Sequence, residues 1–161
     1  MATRFVGTPN AAEFPASTQA QLTQINQRPA LAYDPATSEA AYWTDIAAQG
    51  LTGTLSIVIS FAMASAVSGN VVWRAQIEAV SDGDALNLAS ATSFDTANSS
   101  GAIAVPGTAG YIKQCTITLT NADGIVAADY YRISIDRDAA NASDTASGDA
   151  YLLAFELRDA A

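Results

Sequence analysis

The stretch "LSIVISFAMASAVSGNVVWRAQIEAVSDGD", Leu55 to Asp84, decides the fold. Its first half alternates. Leu55, Ile57, Ile59 and Phe61 fall on one face, and Ser56, Val58 and Ser60 on the other. A period of two predicts a strand with one buried face. "VSGN" then supplies a turn. "VVWRAQIEAV" resumes the pattern, with Val71, Trp73, Ala75, Ile77 and Ala79 inward and Arg74, Gln76 and Glu78 outward. The reading is two consecutive antiparallel strands. Each large apolar side chain buried this way stabilises the fold by about 1.5–3 kcal/mol. No residue in the stretch is an obvious catalyst, so packing alone accounts for it.

The same period recurs on both sides. "PALAYD", starting at Pro29, and "EAAYWTDI", Glu39 to Ile46, are strand candidates, and "GLTG" is a turn. Further on, "YIKQCTITLT" sets Cys115, Ile117 and Leu119 inward and Gln114, Thr116 and Thr118 outward. "NADG" turns the chain, and "DYYRISIDRD" buries Tyr131, Ile133 and Ile135. "AYLLAFELRD" ends the pattern with Tyr151, Leu153, Phe155 and Leu157 inward. Between them Ser81 to Gly110 reads as a long polar loop, with Leu86, Leu88 and Phe94 as pinning contacts or a short strand. About eight short strands with turn signals between them predict an all-β chain. An antiparallel, jelly-roll-like β-sandwich is the expectation, with a closed up-and-down barrel as the alternative.

Residues 1–28 follow another pattern. "ASTQAQLTQINQRP" has Leu22 and Ile25 at helical spacing, Ser17 as a possible cap and Pro29 as a stop. Two apolar residues cannot hold such a helix alone. The expectation is a short N-terminal arm, loose or docked, ahead of a sandwich domain over residues 29–161.

Composition removes whole classes of chemistry. The chain has 161 residues, 16 acids, 7 bases and a formal charge of -9. Lys113 is its only lysine. There is no basic stripe to release counterions from nucleic acid or to hold an anionic membrane, so neither partner is expected. There is no histidine, which removes Ser–His and Cys–His nucleophiles and His-ligated zinc. One cysteine, Cys115, permits no intrachain disulfide. No secretory h-region follows the start, and the apolar run Leu55 to Val67 is too short to span a bilayer, so a soluble chain is expected.

Each remaining constellation has a plain reading. Asp82 and Asp84 in "SDGDA" share a spacing with calcium loops, but the further ligands are missing and Asp-Gly is a common turn dipeptide. Asp136, Asp138, Asp144 and Asp149 could gather carboxylates for glycoside hydrolysis, yet nothing sets two of them across a cleft, and solvated loop acids are expected. Arg74 and Arg132 sit outward on strands, where they would pair with another subunit or stay solvated. Trp73 and Phe61 are core before they are pocket, and Cys115 reads as a buried apolar residue. Gly101, Gly107 and Gly110 form no phosphate loop. No catalytic, cofactor-binding or metal-binding residue is expected. The outward faces are rich in Ser, Thr, Ala and Gln and nearly lack the lysines that guard strand edges, a composition suited to packing against other protein copies.

The elements "SGNVVW", "FDTAN", "PGTAGY", "TLTNAD" and "DTASGDAYLLAFELR", in this order from about Pro29 to Asp159, resemble those of a family of bacteriophage virion proteins with a jelly-roll-like β-sandwich. The resemblance implies a structural role and no enzymatic activity. Gly69-Asn70, Asp95 to Asn98 and Gly107 to Gly110 match as fold signatures only. Implied with it is a head decoration (cement) protein on the outer capsid surface of the virion, made in the host cytoplasm. It would form a homotrimer and bind the major capsid protein. The alternative is a tail-fibre or receptor-binding module recognising host glycans through the loop from Ser81 to Gly110. A sandwich glycosidase stands last.

Overall fold

The structure is a computed structural model that describes residues 1–51 and 53–159. Thr52, in the expected Gly50 to Gly53 turn, and the last two residues of the expected 29–161 domain lie outside the described residues. The described chain is all-β. It holds ten strands: β1 (Thr3–Gly7), β2 (Gln21–Ile25), β3 (Arg28–Tyr33), β4 (Ala40–Ile46), β5 (Leu55–Met63), β6 (Asn70–Val80), β7 (Asn98–Ala104), β8 (Lys113–Leu119), β9 (Tyr130–Arg137) and β10 (Ala150–Asp159). A 3-10 turn at Pro9–Ala11 is the one helical element among the described residues.

The strands form two antiparallel sheets. One runs β2-β3-β10-β5-β8, with β1 also on β10, and the other runs β4-β9-β6-β7. This is the sandwich expected from the alternation. It is not a closed barrel, because the pairing separates into two sheets.

The opening stretch folds as β5 and β6, but the two do not pair. β5 lies between β10 and β8, and β6 lies between β9 and β7 in the opposite sheet. The "VSGN" turn therefore carries the chain across the core. Gly69 has φ +92°, and the position where its Cβ would sit lies 3.0 Å from the Ala146 backbone, so glycine is needed there for both conformation and space. Ile57, Ile59, Phe61, Val71, Trp73, Ala75 and Ile77 are all fully buried between the sheets. Tyr33, Phe61 and Trp73 meet edge-on, with Trp73 5.1 Å from Tyr33 and 5.6 Å from Phe61. A second aromatic group joins Trp43 to Phe155 at 4.8 Å and Phe155 to Phe5 at 5.8 Å.

Three expectations change. The expected helix near Ser17 is strand β2, because Leu22 and Ile25 stand opposite Leu31 and Arg28 in a hairpin with β3. Asn26 and Gln27 both have positive φ, as a two-residue hairpin turn of the favoured hand requires. Residues 1–28, set apart as an arm, supply β1 and β2 to the larger sheet. β1 is fixed by Arg4, whose Nε donates to Asp159 Oδ2 at 2.8 Å and whose guanidinium donates to Gly50 O at 2.7 Å. Second, β7 emerges from the stretch read as loop; its glycine and serines hid the period. Third, a bulge between Leu152 and Ala154 shifts the β10 register. Leu152, Phe155 and Leu157 are buried, while Tyr151 and Leu153 turn to the outer face.

Candidate functional site

The acids are accounted for within the fold. The side chains of Arg137 and Asp144 are both buried, and the guanidinium donates to Asp144 at 2.7 Å, to Ala146 O at 2.6 Å and to Gly148 O at 2.8 Å. Asp144 Oδ2 also accepts from Val72 N at 2.9 Å. This pair ties the loop between β9 and β10 to the sheet. Asp136 is buried, and Arg74 donates to it at 2.6 and 2.8 Å and reaches Asp138 at 3.4 Å. Burial holds the Asp136 carboxyl above the usual carboxylate range, against the pull of Arg74. Asp136, Asp138 and Asp144, expected as solvated loop acids, are thus partners of arginines, and Arg74 and Arg132 pair within the chain. Arg132 Nη1 reaches Glu78 at 3.3 Å and stacks over the rings of Tyr42 and Phe94.

The loop from Ser81 is ordered over the outer face of the smaller sheet. Phe94 stacks on Tyr42 at 5.3 Å, Ser93 N donates to Glu78, and Gln76 Nε2 donates to Asp95 O. Its polar tips are mostly spent on backbone N–H groups, of the loop itself and of the segment after β8. Asp84 Oδ2 accepts from Ser81 N at 2.8 Å, Asp95 Oδ2 from Asp123 N at 2.9 Å, and Asn98 Oδ1 from Thr120 and Asn121 N. Asp82 and Asp84 therefore sit in a turn. Among the described residues no group of three or more His, Cys, Asp or Glu side chains is placed to hold a metal ion. No helix among them is long and apolar enough to cross a membrane.

Cys115 is buried and faces the core. Burial pushes its thiol from 9.0 up to about 12, outweighing a backbone hydrogen bond at Ile59 and the charge of Lys113. The raised value makes the neutral thiol the favoured form. Its contribution to stability is complete below about pH 8.5 and is lost as the pH rises toward the folded value. A disulfide reagent at pH 8 is expected to leave the native thiol unmodified and to titrate one thiol per chain after urea unfolding.

Several recesses open at the surface, and two of them bear on function. The larger, about 520 Å³, lies between the β4–β5 and β8–β9 loops and is lined by Leu51, Thr54, Leu55, Leu119, Thr120 and Ile125 among others. It contains no aromatic ring and no charge. The second, about 330 Å³, is a groove lined by Ile25, Asn26, Arg28, Gly110, Ile112 and Leu153. The β2–β3 turn forms one wall. The other is the segment after β7, anchored by Val105 N to Gly69 O at 3.1 Å and by Gly110 N to Met63 O at 2.9 Å. The β10 bulge puts Leu153 between them. Ile112 in the groove's lining and Tyr111, the preceding residue, are each 66% exposed, and among the described residues these are the most open large apolar side chains after Met1. Arg28 Nη1 donates to Asn26 O at 3.2 Å, and its other donors are left for a ligand or water.

Sequence reasoning named none of these lining residues as a site. Gly107 to Gly110 was read as a fold signature, and Ile25 as part of a helix. An aromatic-aliphatic pair, Tyr111-Ile112, placed just before an alternating strand was the one available signal.

No protein-family model matches the chain, and no curated protein matches it. Among solved structures it is similar to the carbohydrate-binding module CBM6cm-2 from Cellvibrio mixtus lichenase 5A, solved with cellotriose. That match has 14% identity and a TM-score of 0.49, over 99% of this chain and 100% of that one. It is also similar to TmCBM61, solved with beta-1,4-galactotriose, at 14% identity and a TM-score of 0.39, over 97% of this chain and 88% of that one. Both likenesses are distant, and the two-sheet fold rests on the strand pairing above. The comparisons give no support to a bacteriophage origin.

Proposed function

We propose that this chain is a non-catalytic β-sandwich binding module and that its ligand is a glycan held in the groove lined by Ile25, Asn26, Arg28, Ile112 and Leu153. The apolar floor of Ile25, Ile112 and Leu153 beside the polar groups of Asn26 and Arg28 carries the reading. A sugar ring offers C–H faces that pack on an aromatic or aliphatic surface and hydroxyls that need fixed polar partners, and this groove provides both. Asp136, Asp138 and Asp144 are each bound to an arginine. A glycan array probed with the intact chain tests the proposal. Ile112→Ala is expected to weaken binding to the positive glycans about tenfold, a loss of about 1.4 kcal/mol from the apolar surface that the ligand covers. Because Ile112 is 66% exposed, the melting temperature should not move. Binding that survives Ile112→Ala undiminished would place the ligand elsewhere.

A second reading, a virion decoration protein that packs on a capsid subunit, is favoured by the outer face of the larger sheet. Ser56, Ser60, Gln114, Thr116 and Thr118 make its β5–β8 part uncharged, beside the Glu156–Arg158 pair on β10, and β8 is an edge strand. A copy number per purified particle comparable to that of the capsid protein would favour it over the glycan reading.

A further inference from the structure

Most sheet edges of the described chain are guarded. β4 is covered by the residues that precede β2, with Glu13 bridged to Tyr42 and Gln19 to Ala40. β7 carries Gly101 at φ +65° and a register break against β6. β8 opens on Lys113, and β1 carries Arg4 and a bulge. Charge, bulges and covering chain are devices that keep a sheet edge from pairing with another. β2, at the end of the larger sheet, has none of them. Gln21–Ile25 holds no charge and no proline, and it keeps its register with β3 throughout. Gln21, Leu22 and Gln24 are exposed, Leu22 at 54%.

The two-residue turn also fixes which groups of β2 face outward. Bonded pairs alternate along an antiparallel ladder, starting here from Ile25 with Arg28 beside the turn. Thr23 and Gln21 then bond Ala30 and Ala32, while Leu22 and Gln24 direct their N–H and C=O groups away from β3. Pro29, which has no N–H to give, stands opposite Gln24 at an unbonded place, as this phase requires. Among the described residues no other backbone group bonds those of Leu22 and Gln24.

We infer that β2 pairs with β2 of a second copy of this chain, antiparallel about a two-fold axis at Thr23. Leu22 and Gln24 exchange backbone bonds with the partner's Gln24 and the partner's Leu22, so the outward groups of both strands are satisfied. The two threonines meet at the axis as a non-bonded pair, where side chains stand closest, and the two exposed leucines lie diagonally across it. A second copy fits because the free groups are complementary to themselves about Thr23. Copies this acidic, each of net charge -9, also approach most easily along a segment without acids. The pairing closes at two chains, since it uses up the edge. Five residues a side cover less than the roughly 1,200–2,000 Å² of a standard interface, so the dimer is weak and reversible. It sets the partner's Gln21 beside Ile25, a lining residue of the groove, and so places one groove on either side of the axis. The pairing needs no ligand.

Sedimentation equilibrium of the intact chain, at concentrations up to about 1 mM, is the test. The expected mass rises with concentration from the single-chain 16.6 kDa toward twice that value. At a fixed concentration it should rise again as salt goes from about 50 to 500 mM, because screening weakens the repulsion between like-charged copies. Gln24→Pro removes an outward donor without touching the bonds to β3 and should weaken dimerisation about tenfold or more. Thr23→Lys and Thr23→Glu should each do the same by setting like charges opposite each other, and an equimolar mixture of the two should dimerise again. At low concentration all three variants should melt with the wild type, since Gln24 is exposed and Thr23 only half-buried. A mass that stays at one chain throughout, or one that converges on three, overturns the inference. So does association that all three variants leave intact, or a mixture of the charged variants that fails to associate.

Discussion

Arg137→Ala is expected to destabilise the fold by about 3–5 kcal/mol, the cost of leaving a buried charge without its partner. Both side chains of the pair are out of water, with Arg137 at 0% and Asp144 at 1% exposure. Removing the guanidinium strands the Asp144 carboxylate together with the carbonyls of Ala146 and Gly148, all of which it bonds. The damage would spread along the loop, because Asp144 also accepts from Val72 N in β6 and Thr145 Oγ1 accepts from Asn70 N. Urea unfolding of the variant and of wild type measures the difference. The double variant Arg137→Met with Asp144→Leu separates charge burial from packing. It should recover much of the loss, because an apolar pair of similar volume removes the stranded charge. A single variant within about 1 kcal/mol of wild type would mean that water reaches the pair.

Phe155→Ala should cost about 3–5 kcal/mol by a different route, a cavity in the apolar core. The ring is fully buried and packs edge-on to Trp43 at 4.8 Å, with Phe5 on its other side at 5.8 Å. Phe155 therefore joins β10, β4 and β1. The backbone of β1 lies directly on the ring: a Cβ placed on Gly7 would come within 2.0 Å of Phe155 Cε1. Glycine at position 7 is required by that close approach. Losing the ring should therefore loosen the first strand more than the rest. Hydrogen exchange of the Thr3–Gly7 amides is expected to rise more than that of β5 in the variant. Equal protection of both strands, or a stability loss below about 1.5 kcal/mol, would show that the neighbouring rings close the space.

These two effects mark what the sequence discloses and what it conceals. Strict alternation made β5, β6, β8 and β9 legible with their inward residues, because alternate side chains of each face the core, although Ser56 and Val58 of β5 and Ser134 and Asp136 of β9 are covered on the other face as well. β10 was legible as a strand but not in its facing, since one bulged residue reverses the pattern between Leu152 and Ala154. β2 was hidden because Leu22 and Ile25 lie three apart, a spacing that fits a helix as well as an edge strand. β7 was hidden by Ser99, Ser100 and Gly101, which pack little and carry no period. The ion pairs join residues distant in sequence, as Arg74 with Asp136, or depend on a loop path, as Arg137 with Asp144. Neither relation has a local signature. The groove is harder still to read, for three separate segments meet there, and each looks ordinary alone.

The measurement that tests the central claim most directly is an NMR titration of the 15N-labelled chain with the oligosaccharide it binds best. If the groove lined by Ile25, Arg28, Ile112 and Leu153 is the binding surface, the perturbed amides will cluster at Ile25 to Arg28, Gly110 to Ile112 and Leu153. Perturbations centred on the recess between the β4–β5 and β8–β9 loops, or on the outer face of β5 and β8, would contradict it, as would a spectrum that no glycan moves.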